Sequence, residues 1–299
     1  MAMSERFLIY YSDFSDPYRN LAAEEQLTKN VRAGEPILFL WQNTRAVVIG
    51  KNQNSRAECD LLRMERDGVL LSRRLSGGGA VYHDTGNLCF SFISRADEHD
   101  VASHLALIAD ACAEFGIAAE TSGRNDMTVG GRKFSGNAFY SIGQNKCHHG
   151  TVLISSDFGR LAEYLTIPES KLEAKGIRSV RSRVINLAEL CRDLTPERFA
   201  RTLISLCGGD IRRLPDDLPI SERADFFASD EWLFGCDPEF TDEVKYRTAE
   251  GEFTLLLTVN RGTVTDCRVY TDSLDPAASD LIRSRVLGQP FANLKMIKE

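Results

Sequence analysis

The stretch "RRLSGGGAVYHDTGN", residues 73–87, sets two arginines ahead of three glycines and follows them with a histidine and an aspartate. Consecutive glycines are costly to order, because glycine loses more backbone freedom on folding than any other residue. Bare backbone at Gly77, Gly78 and Gly79 lets a ligand press against successive N–H groups, which form an anion-binding concavity in a turn. Arg74 adds a planar fork suited to phosphate or carboxylate. The chemistry on offer is the binding of a phosphate-bearing ligand. Triple glycine alone fits a hairpin turn with exposed arginines equally well. The stretch matches neither G-x-G-x-x-G nor G-x-x-x-x-G-K-[ST], so the ordinary dinucleotide and P-loop readings lack support.

Three further clusters carry reactive side chains. In "GRNDMTVGGRKFSGNAF", residues 123–139, Asn125 and Asp126 offer oxygens to a hard cation such as magnesium. Lys133 follows a glycine turn and can neutralise charge developing on a phosphate or carboxylate. In "CHHGTVLIS", His148 and His149 point to opposite faces of a strand, so they form no two-ligand metal site. Each fits a structural histidine, and His83 fits the same role beside the glycines. Cys147 could serve as a thiolate nucleophile, although an inert buried thiol is the commoner state. Lys171, Lys175, Arg178, Arg181 and Arg183 in "SKLEAKGIRSVRSRV" make the most basic stretch, which suits a solvated helix face or a phosphate-binding one.

These residues need elements to hold them. "RFLIYYS", "PILFLWQN", "AVVIG", "NLCFSFIS" and "HHGTVLIS" read as strands. "PYRNLAAEEQLTKNV" reads as a helix whose faces are imperfectly separated. "AECDLLRMERDG", residues 100–116, "DFGRLAEYLT" and "TPERFARTLISLCGG" also read as helices, the last with Thr195 as cap and proline at its first position. "SKLEAKGIRSVRSRVINLAEL" reads as helix–loop–helix, and "MTVGGRKFSGNAFYS" as a hairpin. Residues 214–243 are proline-rich with little periodicity and read as a connecting segment. Beyond them, two strands meet at Asn260-Arg261-Gly262 and a helix follows. The irregular order of strands and helices favours α+β over a doubly wound sheet.

The totals bound the rest. The chain has 299 residues, a net charge of −7 and no strongly basic character, which argues against a nucleic-acid or membrane binder. No apolar run reaches the roughly 20 residues that span a bilayer, and the N-terminus carries no secretory pattern, so a cytoplasmic protein is expected. Cys59, Cys89, Cys112, Cys147, Cys191, Cys207, Cys236 and Cys267 are scattered without a C-x-x-C pair, which disfavours a zinc site or disulfide framework.

Taken together and in order, "RRLSGGGAVYHDTGN", "GRNDMTVGGRKFSGNAF", "HHGTVLIS" and "AKGIRSVRSRVINL" resemble the lipoate–protein ligase A family, from about Tyr11 to Leu190 and more weakly through "RVYTDSLDP". The resemblance implies an α+β fold like that of biotin ligases and class II tRNA synthetases. It implies a catalytic domain over residues 1–243 and a small C-terminal accessory domain over 244–299. Only 23 residues follow "TDSLDP", which implies that the accessory domain is shortened.

Such ligases activate lipoate with MgATP to lipoyl-AMP. They then acylate a lysine on the lipoyl domains of 2-oxoacid dehydrogenases or on the glycine cleavage H protein. By resemblance, Lys133 is the catalytic lysine that bridges acyl oxygen and phosphate. Arg74, Gly77, Gly78, Gly79, Ala80, Val81, Tyr82, Asn125 and Asp126 would hold the nucleotide, with Asp126 facing magnesium. Trp41, Val48, Gly50, Leu75, Ser76, His83, Gly136, Ala138 and His149 would line the lipoate site. "KGIRSVRSRV" would cover the adenylate. A monomer without tightly bound prosthetic group is expected. The competing readings are an acyltransferase working through a Cys147 thioester, a non-catalytic lipoate binder and a biotin ligase.

Overall fold

The strands that read as continuous apolar runs form the centre of the molecule. The computed structural model describes residues 7–123, 126–165, 183–235, 237, 240–248, 251–271, 277–292 and 294. Its largest sheet runs in the order β11-β1-β2-β6-β10-β9-β8-β7. The strands are β1 (Leu8–Tyr11), β2 (Ile37–Trp41), β6 (Asn87–Arg95), β7 (Glu120–Ser122), β8 (Asp126–Val129), β9 (Arg132–Ile142), β10 (Asn145–Leu153) and β11 (Ile211–Arg212). The pairs β11–β1 and β1–β2 are parallel and the rest antiparallel, so the sheet is mixed.

Both faces of this sheet are covered, which is why "PILFLW" shows no polar alternation. On one face Ile37, Phe39, Trp41, Cys89, Ile93 and Cys147 pack with the helix α1 (Pro17–Asn30). On the other, Leu38, Leu40, Leu88, Phe90, Phe92 and Val152 pack under α4 (Val101–Ala113) and α6 (Pro196–Leu206). Helix α1 starts where Asp16 caps it, accepting from Tyr18 N at 2.8 Å and Arg19 N at 2.9 Å, with Pro17 at its first position. A second sheet, β4-β3-β5, joins β3 (Ala46–Ile49) to β4 (Leu70–Arg73) and β5 (Val81–His83), and so presents the glycine stretch between β4 and β5.

Three expectations change. "AECDLLRMERDG" is two helices, α2 (Ser55–Glu58) and α3 (Leu61–Arg66), because Asp60 breaks the run and caps the second, accepting from Arg63 N at 3.1 Å. The segment 214–243 is no loose connector. It carries α7 (Ile220–Ala228) and α8 (Asp230–Leu233), with Ile220, Ala224, Phe227, Trp232 and Leu233 buried, and α7 lies along α1. The strand β12 (Phe240–Thr248) begins before the expected boundary at Val244. The basic residues Lys171, Lys175, Arg178 and Arg181 fall outside the described residues. The remaining helix of the large unit, α5, spans Phe158–Tyr164.

The C-terminal unit is an antiparallel meander of β12, β13 (Gly251–Asn260) and β14 (Thr263–Thr271) with α9 (Ala278–Val286) against it. Phe253, Leu255, Leu257, Val264, Cys267 and Phe291 form its core. Arg261 at φ 48° and Gly262 at φ 75° make the expected two-residue hairpin turn.

Candidate active site

A cleft of about 390 Å³ opens beside β5, β9 and β10. Its wall brings together most of the residues singled out in the sequence. Gly78, Gly79, Ala80, Val81, Tyr82 and Arg74 come from the glycine loop and its flanks; Asp126, Lys133, Gly136 and Ala138 come from β8 and β9. Trp41, Val48, His83 and His149 complete the set. Asn125 lies outside the described residues.

Four expected residues are not part of the wall. Gly50 faces the back of the glycine loop, where any Cβ would collide with the Gly78 carbonyl. Leu75 packs into the core, and Ser76 is buried against His149. Gly77 turns its carbonyl to Arg74. At Gly77 and Gly79 nothing lies within 4 Å of where a Cβ would be, whereas Gly78 has φ 100° and a Cβ there would stand 2.7 Å from Arg74 Nη2. Only Gly78 and Gly50 are therefore required by local sterics; bare backbone at the other two faces open space.

Arg74 departs from the expectation of a guanidinium held out for phosphate. Its Nη2 donates to Gly77 O at 2.7 Å and Gly79 O at 2.9 Å, its Nη1 to Val48 O at 3.1 Å, and its Nε to Ser76 Oγ at 3.1 Å. Burial lowers its pKa to about 10, which leaves it charged at neutral pH. It shapes the loop from inside, because buried carbonyls need donors.

Lys133 stands at the start of β9, with its Nζ 2.7 Å from Asp126 Oδ1 and both side chains partly open to solvent. Its backbone is pinned on both sides: its N–H donates to Arg183 O at 2.8 Å, and its carbonyl accepts from Ile185 N at 2.9 Å. The Lys133–Asp126 pair is one charged part of the cleft, whose wall also carries Arg74 and Asp157. A carboxylate facing open space can also take a hard cation, so Asp126 fits a magnesium ion delivered with a nucleotide.

Sequence reasoning missed Glu24. It lies on α1, 1% exposed, and accepts from His149 Nδ1 at 2.8 Å and from Ser91 Oγ, which in turn accepts from Trp41 Nε1 at 3.2 Å. His149 Nε2 meets Ser76 Oγ at 2.7 Å. One buried carboxylate thus fixes the indole and the imidazole that line the apolar end. The signal was present in the poorly separated faces of α1.

The wall also includes Leu21, Asn87, Cys89, Asn137, Ser156 and Phe158, none of which the sequence reading singles out as a site residue. Three of its buried polar atoms have no protein partner: His83 Nε2, Asn87 Oδ1 and Ser156 Oγ. Asn20 Nδ2 donates to Asn43 Oδ1 at 2.9 Å, so Asn43 presents Nδ2 to His83 Nδ1 at 3.1 Å. That leaves the ring hydrogen on His83 Nε2, a neutral donor awaiting an acceptor. Burial, with Arg74 nearby, lowers the His83 pKa to about 3.

His148 is the structural histidine it was expected to be. Its Nε2 meets Asn137 Oδ1 at 2.9 Å, and its Nδ1 meets His104 Nδ1 at 3.2 Å. His104 stacks on Phe92 with centroids 4.4 Å apart. Burial lowers His99 to about 4, His104 to about 3 and His148 to about 2. Unfolded histidine titrates near 6.5, so below that pH the unfolded chain binds more protons than the folded one. Stability from this cluster is complete above about pH 6.5 and is lost progressively below it, down through the folded values of about 4, 3 and 2. Thermal unfolding followed from pH 8 to pH 5 should show a falling midpoint, and His104→Phe should flatten that fall; equal slopes in the two proteins would remove the cluster as its cause.

Cys147 is fully buried, and burial with Glu24 nearby raises its thiol well above the ordinary range. A thioester nucleophile needs an accessible thiolate. Cys147→Ser should therefore leave any acyl transfer by this protein intact. Loss of activity, with a covalent acyl-enzyme seen in the wild type by mass spectrometry, would reverse this.

Comparison with known proteins accounts for this combination of fold and cleft. Residues 16–207 match the family model "Lipoyl protein ligase A/B catalytic domain", and residues 237–298 match "Bacterial lipoate protein ligase C-terminus". The chain belongs to the lipoyl protein ligase A/B family. Among solved structures it is similar to LipL1 of P. falciparum in complex with lipoate, with 31% identity, coverage of 95% of this chain and 90% of that one, and a TM-score of 0.69. It is also similar to a bi-partite lipoate protein ligase from Thermoplasma acidophilum, described with its E2 lipoyl domain. There the identity is 27%, the coverage 80% and 99%, and the TM-score 0.67. A lipoate-protein ligase A bound with ATP matches at 25% identity, covering 78% of this chain and all of that one, with a TM-score of 0.65. Among the described residues no helix is long and apolar enough to cross a membrane.

Proposed function

We propose that this protein is an ATP-dependent lipoate–protein ligase that forms lipoyl-AMP and passes the lipoyl group to a lysine of a lipoyl domain or of the glycine cleavage H protein. The observation that carries this reading is one continuous cleft with a bare glycine loop, the Lys133–Asp126 pair and an apolar end at Trp41, Leu21 and Cys89. Relatives described with lipoate, with ATP and with an E2 lipoyl domain support the same substrates and acceptor. The described cysteines are all free, which fits a cytoplasmic setting.

In the first half-reaction the lipoate carboxylate attacks the α-phosphorus of ATP, and the bond to pyrophosphate breaks. In the second, the acceptor amine attacks the acyl carbon, AMP leaves and the amine gives up a proton. Both steps gather negative charge on neighbouring oxygens. The Lys133 ammonium, freed from Asp126, offsets it in both transition states. Asp126 would hold magnesium, which supplies positive charge to the phosphates. The glycine loop offers backbone N–H groups to phosphate, and Arg74 keeps that loop in shape. His83 Nε2 donates to the bound acyl substrate. Each buried methylene contributes only about 0.8 kcal/mol, so discrimination between lipoate and octanoate should be modest.

The test is pyrophosphate release with lipoate, octanoate and biotin. Release is expected with the first two and not with the third. Acyl transfer without ATP would favour the transferase reading, against which the burial of Cys147 stands.

A further inference from the structure

Arg73, the first arginine of the pair ahead of the glycines, takes no part in the cleft and is fully buried. On one side its Nη1 donates to Gln53 O at 2.7 Å, Lys51 O at 2.9 Å and Gly50 O at 3.3 Å. On the other its Nε donates to Trp232 O at 3.1 Å and its Nη2 to Leu233 O at 2.5 Å and to Asp237. Trp232 Nε1 returns a bond to Arg73 O at 2.8 Å. The Asp237 carboxylate also accepts from Ser55 N at 3.1 Å and Ser55 Oγ at 2.7 Å, at the start of α2. A buried guanidinium is tolerated only when its donors are matched, and here the acceptors come from two distant stretches, 50–53 and 232–237.

Each stretch leads somewhere. Lys51 N donates to Ser76 O at 2.8 Å, and Gly50 lies against Gly78 with no room for a Cβ, so residues 50–53 back the glycine loop. From Asp237 the chain runs on to β12 of the small unit. Beside Ser55, Arg56 stacks on Phe291 with 3.5 Å to the ring centroid and donates to Phe291 O at 2.9 Å. An unbroken run of contacts therefore joins the small unit to the glycine loop, with the Arg73–Asp237 pair at its middle. Lys133, on β9, stands outside that run; His149 meets it at Ser76 Oγ, but the backbone of β10 is held by β6 and β9.

We propose that Arg73 and Asp237 are positioning residues through which the small C-terminal unit sets the glycine loop for ATP, so that the pair governs adenylate formation and not acyl transfer. This rests on the ligase reading above. The decisive variants of the full chain are Asp237→Asn, which keeps shape and loses charge, and Arg73→Lys, which keeps charge but cannot reach both sets of carbonyls. Each should raise the KM for ATP about tenfold, a typical size for coupling between sites. Each should speed hydrogen exchange in residues 50–54 and 76–79. Exchange in β10 and the saturated rate of transfer from preformed lipoyl-AMP should stay as in the wild type. Unchanged exchange at 76–79, an unchanged KM for ATP or an equal loss in both half-reactions, in folded protein, would overturn the proposal. A wild-type chain that releases no pyrophosphate with lipoate would instead remove the ligase reading, and the exchange measurement would still decide whether Asp237 holds the loop.

Discussion

Lys133→Ala is expected to abolish adenylate formation and acyl transfer alike while the protein stays folded. The fold should survive because Lys133 is held by its backbone, through Arg183 and Ile185, and its side chain is partly exposed. Activity should not, because both steps of the proposed reaction force anions together, and the ammonium that would offset them is lost. Among the described residues lining the cleft, Arg74 is the other basic side chain, but its donors are committed to Val48, Ser76, Gly77 and Gly79. Removing a well-placed donor costs on the order of 3 kcal/mol, about a hundredfold or more in rate. Pyrophosphate release and transfer from preformed lipoyl-AMP should be followed separately, with circular dichroism as the check on folding. Near-wild-type ligation would remove Lys133 from its assigned role.

Arg74→Ala is expected to weaken the use of ATP and the retention of adenylate far more than the binding of free lipoate. Truncation leaves the carbonyls of Val48, Gly77 and Gly79 and the Ser76 hydroxyl without their donor. Each buried group left unsatisfied costs about 1–3 kcal/mol, and the loop can recover it only by opening toward water. The backbone N–H groups that would face phosphate move with it. The apolar end touches this network through Ser76 Oγ and His149 Nε2, but Glu24 holds it from α1 through His149 Nδ1 and Ser91. Calorimetric titration with each ligand tests this. Lost lipoate affinity with normal ATP turnover would put Arg74 at the wrong end of the cleft.

The strands were legible because burial on both faces leaves runs such as "PILFLW" with no competing interpretation. The glycine stretch and "GGRKFSG" were legible because bare backbone and a lysine after a turn are costly unless used. Helix α7 was not. Ile220, Ala224 and Phe227 have helical spacing, but Pro215 and Pro219 before them read as a linker, and the helix is too short for periodicity to outweigh that. Glu24 was hidden for the opposite reason: a carboxylate among buried residues looks like a flaw in an amphipathic helix until its partners on Ser91 and His149 are seen. Arg73 and Arg74 are adjacent and identical in type, and only the fold separates them. One points back to the loop at 50–53 and the other into the loop at 77–79.

Strand β10 pairs residue for residue with β6 along its whole length and with β9 from Asn145 to Val152. Cys147 and His149 turn to the face that carries α1 and the cleft; His148 and Val152 turn to the face under α4. A single inserted or deleted residue ahead of this strand would exchange the two sets, since side chains alternate with a period of two. An insertion would carry His149 into the place of Gly150, where even a Cβ meets Phe90 and the Gly136 carbonyl; a deletion would set Gly150 where His149 stands and leave the Glu24 carboxylate without that partner. Substitution at any one position of β10 changes one contact, whereas a frame-preserving insertion of one codon changes all of them together. Length variation among descendants of this gene should therefore gather in the turns at 143–144 and 154–157 and spare the strand between them.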